Sequence, residues 1–150
     1  MQHHDDYQLA RRIQHQILTH HLGSGAIQVF APSGDQIGAP NSPLALCGSA
    51  ILASIGLPVF GVFDSDELWT IMGTNGIVSK HNCALETAIL DDLTECHTPT
   101  SPNYQFSKGE HQYLELTTEN GEKRHIWVRS GPVYYAVYNI VLMVIKMRKR

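Results

Sequence analysis

The sequence predicts a single α+β domain over residues 1–150, with helices packed on a mainly antiparallel sheet and a buried central helix at about 44–55. Three observations favour this fold class. A chain of 150 residues has the size of one ordinary domain. Its segments alternate between the apolar spacing of helices and short apolar runs that end in turn residues, as strands do. No internal repeat and no linker divides it.

Two helices and one strand are predicted in the first third of the chain. Leu9, Ile13 and Ile17 recur every four residues after an acidic N-cap, which indicates an amphipathic helix. A short apolar strand is expected at 26–31. The segment 44–55 follows a Ser-Pro helix start and is apolar or small all round, so we expect a helix that is buried on every side.

The remaining segments are predicted to be short strands with one or two further helices. A strand is expected at 58–63, and residues 64–72 favour a helix start, with a hairpin strand as the alternative. The Asn-capped segment 83–95 has apolar residues on one helical face, which predicts a helix. An Asn-Gly turn predicts a hairpin within 113–129. Residues 133–145 are apolar on both alternating faces, as expected of a strand in the middle of a sheet.

The charge distribution disfavours nucleic acid as a partner. The formal net charge is −3, but four of the 11 Lys and Arg residues lie in the basic tail 146–150, and all 14 Asp and Glu residues precede it. An acidic body repels phosphate backbones. Charged residues make up only 17% of the chain, against about 25% in an average soluble domain, so we expect covered surface such as a dimer interface.

Cysteine usage and the first residues predict a cytoplasmic, reducing environment. The three cysteines, Cys47, Cys83 and Cys96, are few and odd in number, and the chain starts with His and Asp rather than with a signal-like apolar run. The longest apolar stretch, 133–145, is shorter than the roughly 20 residues that a helix needs to cross a bilayer. No membrane span is therefore expected.

Two thiols and two imidazoles in the middle of the chain raise the question of a zinc site, namely His81, Cys83, Cys96 and His97. A helix over 83–95 would hold the two cysteines roughly 20 Å apart. That separation is too large for shared metal ligation or for a disulfide. No metal is therefore predicted. No Gly-rich loop precedes a helix, so no nucleotide cofactor is predicted either.

A cysteine and a histidine that the fold brings together are the strongest candidates for chemistry. A thiolate nucleophile needs a lowered pKa, which a helix N-terminus favours, and a histidine that takes its proton. Cys47 lies in the opening turns of the central helix, and Cys83 stands at the start of the helix that follows Asn82. Downstream, His111 opens the first strand of the predicted hairpin and His125 lies on the second, so either histidine could face a thiol.

The segments NSPLALCGSAILASIGLP, DSDELWTIM and RHIWV resemble the papain-like, ovarian-tumour-type cysteine proteases of tymovirus polyproteins, over about residues 41–129. The resemblance implies that Cys47 is the nucleophile, that Leu68-Trp69 lies on a second helix and that His125 is the base. It also implies hydrolysis of peptide or isopeptide bonds in a protein substrate, such as ubiquitin or a polyprotein. Cys83 with His111 is the second choice for the catalytic pair.

Two positions depart from the wider ovarian-tumour group. Ala45-Leu46 replaces the Asp-Gly step before the nucleophile, and Trp127 stands where that group has an acidic or amide residue two positions after the histidine. The resemblance to the tymovirus kind therefore implies a Cys-His dyad without a third member.

A non-enzymatic function is the alternative. GAIQVFAPSGDQIGA and VFGVFDSDELWTIMG resemble the helix and hairpin opening of roadblock-type adaptor domains. That resemblance implies binding of partner proteins through a sheet that dimerisation extends. A third interpretation is a small α+β binding protein of unknown ligand, dimeric through its apolar C-terminal strand. Residues 64–72 discriminate between the first two, because a helix there favours the protease and a strand favours the adaptor.

Overall fold

Most of the described residues belong to two antiparallel sheets and one long helix. The computed structural model describes residues 8, 11–12, 27–29, 53–65, 67–81, 84–99, 112–129 and 131–148. The predicted fold class, with helices packed on a mainly antiparallel sheet, is therefore wrong. Among the described residues the strands form sheets of five and three, and a single helix runs for more than a few residues.

The strands of the larger sheet lie in their order along the chain, and each pairs antiparallel with the next. They are β1 (Ile27–Val29), β2 (Pro58–Ser65), β3 (Leu68–Gly73), β4 (Gly76–His81) and β5 (Ala84–Ile89). β1 and β2 confirm the strands predicted at 26–31 and 58–63. β2 and β3 form a hairpin, so the helix start favoured at 64–72 is wrong and the strand alternative is confirmed.

The five-stranded sheet has a different hydrophobic core on each face. Trp69, Ile71 and Val78 lie on one face and pack with Ile55. The opposite face, which includes Met72, belongs to the larger core that the second sheet and the long helix complete.

The smaller sheet consists of β6, β7 and β8 in that order, all antiparallel. Their bounds are β6 (Leu93–His97), β7 (Tyr113–Thr118) and β8 (Lys123–Trp127). The hairpin predicted from the Asn-Gly turn is thus confirmed as β7 and β8. Gly121 in that turn has a φ of 83°, a conformation that glycine adopts without steric cost.

Strands replace the helix that was predicted over 83–95. β5, a single 3-10 turn (Leu90–Asp92) and β6 occupy this part of the chain. The spacing of its apolar residues fits a helix, but Leu85 and Ile89 are exposed and Ala88 alone of β5 is buried. The pattern therefore does not mark one buried helical face, and the pairing of β5 with β4 decides the conformation.

The C-terminal segment is a helix, α1 (Pro132–Arg148), and not the strand predicted at 133–145. The C-terminal segment therefore offers no strand for the predicted homodimer, and whether the chain dimerises stays a prediction. Pro132 occupies the first helical position, where its missing N–H costs no hydrogen bond. The buried residues recur every three or four positions and pack in the core shared with the three-stranded sheet: Val133, Val137, Ile140, Val141 and Val144.

Little of the predicted central helix 44–55 lies within the described residues. Residues 53–55 are helical, and Ile55 is fully buried, but Ala53 and Ser54 are exposed. Burial on every side is therefore wrong at this end of the segment. Gln8 is helical, as are residues 11–12, in agreement with the predicted N-terminal helix. In the part of the chain that the structure describes, no helix is long and apolar enough to cross a membrane.

Candidate functional site

The outer edge of β8 lies against one face of the five-stranded sheet, and side chains from that sheet bind its backbone. The Ser79 hydroxyl accepts a hydrogen bond from the Trp127 N–H at 2.9 Å. The Thr70 hydroxyl donates to the Trp127 carbonyl at 2.6 Å and lies 2.7 Å from the Ser79 oxygen. Thr70 and Ser79 face each other across β3 and β4. The edge of one sheet is thus satisfied by hydroxyl groups of the other.

A histidine and a glutamate bind the same edge two residues earlier. One Glu86 oxygen accepts the His125 N–H at 2.7 Å, and His81 donates through Nε2 to the His125 carbonyl at 2.9 Å. His81 Nε2 also lies 3.4 Å from the other Glu86 oxygen. The sequence singled out His81 only as a metal ligand, whereas its contacts here are those of a link between the sheets.

The protonation of this pair follows from its contacts. Burial lowers the pKa of His81, but the hydrogen bonds to Glu86 and to the His125 carbonyl outweigh burial, so the pKa is raised overall. Burial likewise raises the pKa of Glu86, but the hydrogen bonds from His81 and from the His125 N–H lower it more. The ion-paired form is therefore favoured in the folded protein.

A second carboxylate, Glu115, lies in a row of three residues across the smaller sheet. The strand register places His97 on β6 and His125 on β8 directly opposite Glu115 on β7. The His125 Nε2 atom lies 3.2 Å from one Glu115 oxygen. His97 Nδ1 and Lys123 Nζ each lie 3.7 Å from the other oxygen, Oε1.

Glu115 is buried with an incompletely bonded carboxylate. The side chain is 3% exposed, and Oε1 accepts no hydrogen bond from any described residue. His97 Nδ1 donates instead to the Thr98 carbonyl at 3.0 Å, and Lys123 donates to the Thr117 hydroxyl at 3.0 Å. A buried carboxylate in this position fixes the His125 ring, with Nε2–H directed at Glu115 and Nδ1 as the nitrogen that would act as base.

Of the four predicted catalytic residues, His125 lies within the described residues and the other three do not. His125 lies on β8, on the second hairpin strand as predicted. Cys47, Cys83 and His111 lie outside the described residues, so both predicted pairs, Cys47 with His125 and Cys83 with His111, stay predictions. Glu115 is a residue that the sequence reasoning missed. The Asn-Gly turn gave only part of the signal. A two-residue loop at Asn120-Gly121 would pair Glu115 with Ile126, whereas the observed register pairs Glu115 with His125.

Cys96, the cysteine that the described residues include, is unsuited to act as a nucleophile. Cys96 lies on β6 and is buried, and burial raises the pKa of its thiol to about 12. The thiolate, which is the reactive form, is therefore negligible near neutral pH.

No metal site forms among the described residues. The argument from helix length is wrong, because residues 84–95 lie in strands and a 3-10 turn and not in a helix. His81 and His97 nevertheless lie on different sheets, and no group of three or more His, Cys, Asp or Glu side chains within the described ranges could hold a metal ion.

A separate candidate surface is the open edge of the larger sheet. β5 is the last strand of that sheet, and within the described part of the chain its backbone bonds only to β4. Leu85 and Ile89 lie on the same face of β5 and are 48% and 40% exposed. Thr87 between them is also exposed, while Glu86 is directed inward to His81 and to the His125 N–H. The edge therefore presents an apolar row without an outward-facing charge.

One cleft lies beside β5 and one groove lies on α1. A cleft of about 140 Å³ separates β5 from the β7–β8 turn, and its lining is Thr87, Ala88, Ile89, Asp92, Thr118, Glu119, Asn120, Glu122 and Arg124. A more open groove of about 370 Å³ on α1 is lined by Arg12, Asn139, Leu142, Met143, Lys146 and Met147. The cleft contains three acidic residues and one basic residue, and the groove contains two basic residues and no acidic one.

Comparison with known proteins gives no relative: no protein family, no curated protein and no solved structure matches this chain.

Proposed function

We propose that this chain is a non-catalytic protein-binding module that binds an extended segment of a partner protein along β5. The observation that carries the proposal is that β5 pairs only with β4 among the strands that the structure describes, with Leu85 and Ile89 exposed on one face. An edge strand whose N–H and C=O groups have no partner is a template for a further strand. The proposal keeps from the adaptor interpretation the binding of partner proteins by a sheet, but it assigns the binding to the edge of β5 and not to a sheet that dimerisation extends.

Two further features support a binding role over catalysis. Residues 68–73 form a strand of a hairpin, which is the outcome that favours the adaptor over the protease. The exposed apolar row gives an added strand something to cover besides backbone. Covering the exposed parts of Leu85 and Ile89 would contribute on the order of 1 kcal/mol each, since complete burial of such side chains is worth about 1.5–3 kcal/mol.

The test is selection of binders from a displayed library of random 12-residue peptides on the full chain. We expect enriched peptides whose binding is lost with Leu85→Lys combined with Ile89→Lys, because the two charges oppose an apolar strand at this edge. Tyr135→Lys is the matched control, since Tyr135 is an exposed apolar residue on α1, away from β5. Enrichment of no peptide, or binding that the double variant leaves unchanged, would contradict the proposal.

A thiol hydrolase is the second candidate function, and the contact between His125 and Glu115 favours it. In this mechanism His125 Nδ1 takes the proton of the Cys47 thiol, and the thiolate attacks the carbonyl carbon of a peptide or isopeptide bond. The amine leaves with that proton, and water then hydrolyses the thioester. Glu115 supplies the third member that the dyad lacked, from the strand opposite His125 and not from position 127. Ubiquitin or a polyprotein would be the substrate.

Alkylation by iodoacetamide, followed by mass spectrometry from about pH 5 to 9, tests this second candidate. An activated Cys47 would react well below the pKa of about 8.5 of a free thiol. Glu115→Gln should remove that advantage, whereas Glu95→Gln, an exposed glutamate on neighbouring β6, should not. Cys47 that reacts only like a free thiol in the parent chain would rule out the pair of Cys47 with His125. The same profile at Cys83 would rule out the second-choice pair with His111, and the two results together would rule out the hydrolase.

Under either function we expect, from the sequence, a cytoplasmic location, no nucleic acid partner and no cofactor.

A further inference from the structure

The direction of β8 places the β7–β8 turn beside the open edge of β5. His125 bonds to Glu86 on β5, and two residues later Trp127 bonds to Ser79 on β4 and Thr70 on β3. β8 therefore crosses beneath the larger sheet from β5 toward its centre. The residues that precede His125, and the turn before them, lie toward the outer edge of β5.

The 140 Å³ cleft opens at this edge. Its lining includes Thr87 and Ile89, which lie on one face of β5, and Ala88, which lies on the other. On this side of β5 no described strand pairs with it, so residues of both faces border the cleft. A strand added to β5 would therefore lie over the cleft, and every second side chain of that strand would point into it.

The cleft carries an unbalanced negative charge. The cleft has three carboxylates, and Arg124 offsets the charge of one of them, since its guanidinium nitrogen lies 3.5 Å from a Glu122 carboxylate oxygen. Asp92 and Glu119 form no ion pair with any cation of the described chain, and the Glu119 N–H bonds to the Asp92 carbonyl, which holds these two residues side by side. The charge complement of this cleft is a cationic side chain, long enough to reach down from an added strand.

We infer that the partner segment of β5 has the alternating pattern apolar, basic, apolar, with the Lys or Arg side chain in the cleft and the apolar side chains beside Leu85 and Ile89. This inference rests on the proposed function and specifies the partner that it takes. Successive side chains of an added strand point to opposite faces of the sheet. One side chain would therefore contact the exposed apolar row, and the next would enter the acidic cleft.

A second copy of this chain fits the same edge less well. Antiparallel pairing about Thr87 would place Leu85 of one copy against Ile89 of the other, which is favourable. The same symmetry would bring a second acidic turn beneath the paired strands, toward a cleft that already holds uncompensated carboxylates. Like charges in that position oppose the dimer and leave a basic segment as the occupant.

The peptide selection described above tests this inference through the composition of the selected peptides. We expect apolar residues at alternating positions with Lys or Arg between them. Affinity for a selected peptide should fall about threefold with Asp92→Asn or Glu119→Gln and should weaken with salt, as partly exposed charge pairs do. Glu67→Gln is the matched control, because Glu67 is an exposed glutamate that pairs with Lys80 outside the cleft.

The outcomes separate this inference from the proposed function. Peptides that need Leu85 and Ile89 but carry no basic residue, or that bind Glu119→Gln unchanged, would overturn the inference and leave strand binding at β5 in place. Acidic peptides whose NMR shifts map to Leu142 and Met143 would place binding in the α1 groove and overturn both. A dimer in light scattering that Leu85→Lys dissociates would assign the edge to a second copy, and would overturn the basic segment.

Discussion

Removing the hydroxyl groups of Thr70 and Ser79 should destabilise the protein, because these groups bind the backbone of β8. Thr70→Val keeps the shape of the side chain and removes the donor to the Trp127 carbonyl. Ser79→Ala removes the acceptor of the Trp127 N–H. Each variant thus leaves one backbone group of a buried strand edge without its partner, and neither opens a large cavity.

The magnitude follows from which groups lose their partners. A buried donor or acceptor left unsatisfied costs about 1–3 kcal/mol in the free energy of unfolding. We therefore expect about 1–3 kcal/mol for each single variant. The double variant should cost less than the sum, because the two hydroxyl oxygens are 2.7 Å apart and each loses part of its own bonding when the other is removed.

Urea unfolding of the parent, both single variants and the double variant measures these costs. Thr87→Val is the matched control, since Thr87 is an exposed threonine on β5 and the same substitution should change stability by less than about 0.5 kcal/mol. If Thr70→Val and Ser79→Ala cost no more than Thr87→Val, then side-chain bonding to the β8 edge does not hold the two sheets together. Exactly additive losses would show that the two hydroxyl groups act independently.

Three further results are expected. Urea unfolding against pH should show that Glu86→Gln lowers the free energy of unfolding most between about pH 4.5 and 6.5, the ordinary pKa values of glutamate and histidine. As the pH rises above this window it passes the raised pKa of His81, and the pair loses its positive charge. As the pH falls below the window it passes the lowered pKa of Glu86, and the pair loses its negative charge. In a variant whose other two cysteines are serine, the Cys96 thiol should not react with a disulfide reagent at pH 8 until urea unfolds the chain, and fast labelling of the folded protein would contradict its burial. Gly73→Ala should destabilise by about 1–3 kcal/mol in urea, because its Cβ would overlap the carbonyl oxygen of Ile55, and an unchanged midpoint would show that the hairpin can shift.

Local turn chemistry predicted the hairpin of β7 and β8 well, whereas apolar patterns alone misassigned α1. The Asn-Gly turn specifies a tight connection whatever lies around it. Residues 133–145 are apolar at nearly every position, so they show neither the period of a strand nor that of a helix. Their length and the proline at position 132 were the better signals, since 13 residues exceed a usual strand and proline starts helices.

The error over 83–95 has a different physical origin. Leu85 and Ile89 are four residues apart, which puts them on one face of a helix and equally on one face of a strand. The pattern was interpreted as a buried face, yet both residues are exposed. Under the proposed function these side chains are apolar because a partner covers them, so their burial cannot be read from the fold of one chain.

The candidate site was only half predictable. His125 stands out in the sequence, but its partner Glu115 is ten residues away and meets it only through the strand register. Burial of Glu115 could not be expected from its residue type, since glutamates are rarely buried unless they are paired. The three basic groups around it come from β6 and β8. The segment 98–112 between β6 and β7 reads as a loop in the sequence, but it is too long for a tight turn to set the register of the two strands.

β8 and β5 are edge strands of different sheets, and they differ in what covers their backbone groups. At β8 the backbone groups of residues 125 and 127 are bonded by four side chains of the other sheet, so this edge accepts no further strand; the four are Thr70, Ser79, His81 and Glu86. β5 has no such cover within the described chain, and it contains neither the lysine nor the proline that protects many natural edge strands. An open apolar edge of this kind promotes aggregation unless a partner occupies it. Glu86 is the charged residue of β5, but its carboxylate is directed inward to the backbone of β8 and does not protect the outer edge of β5. The proposed binding of a partner strand would account for an edge in this state.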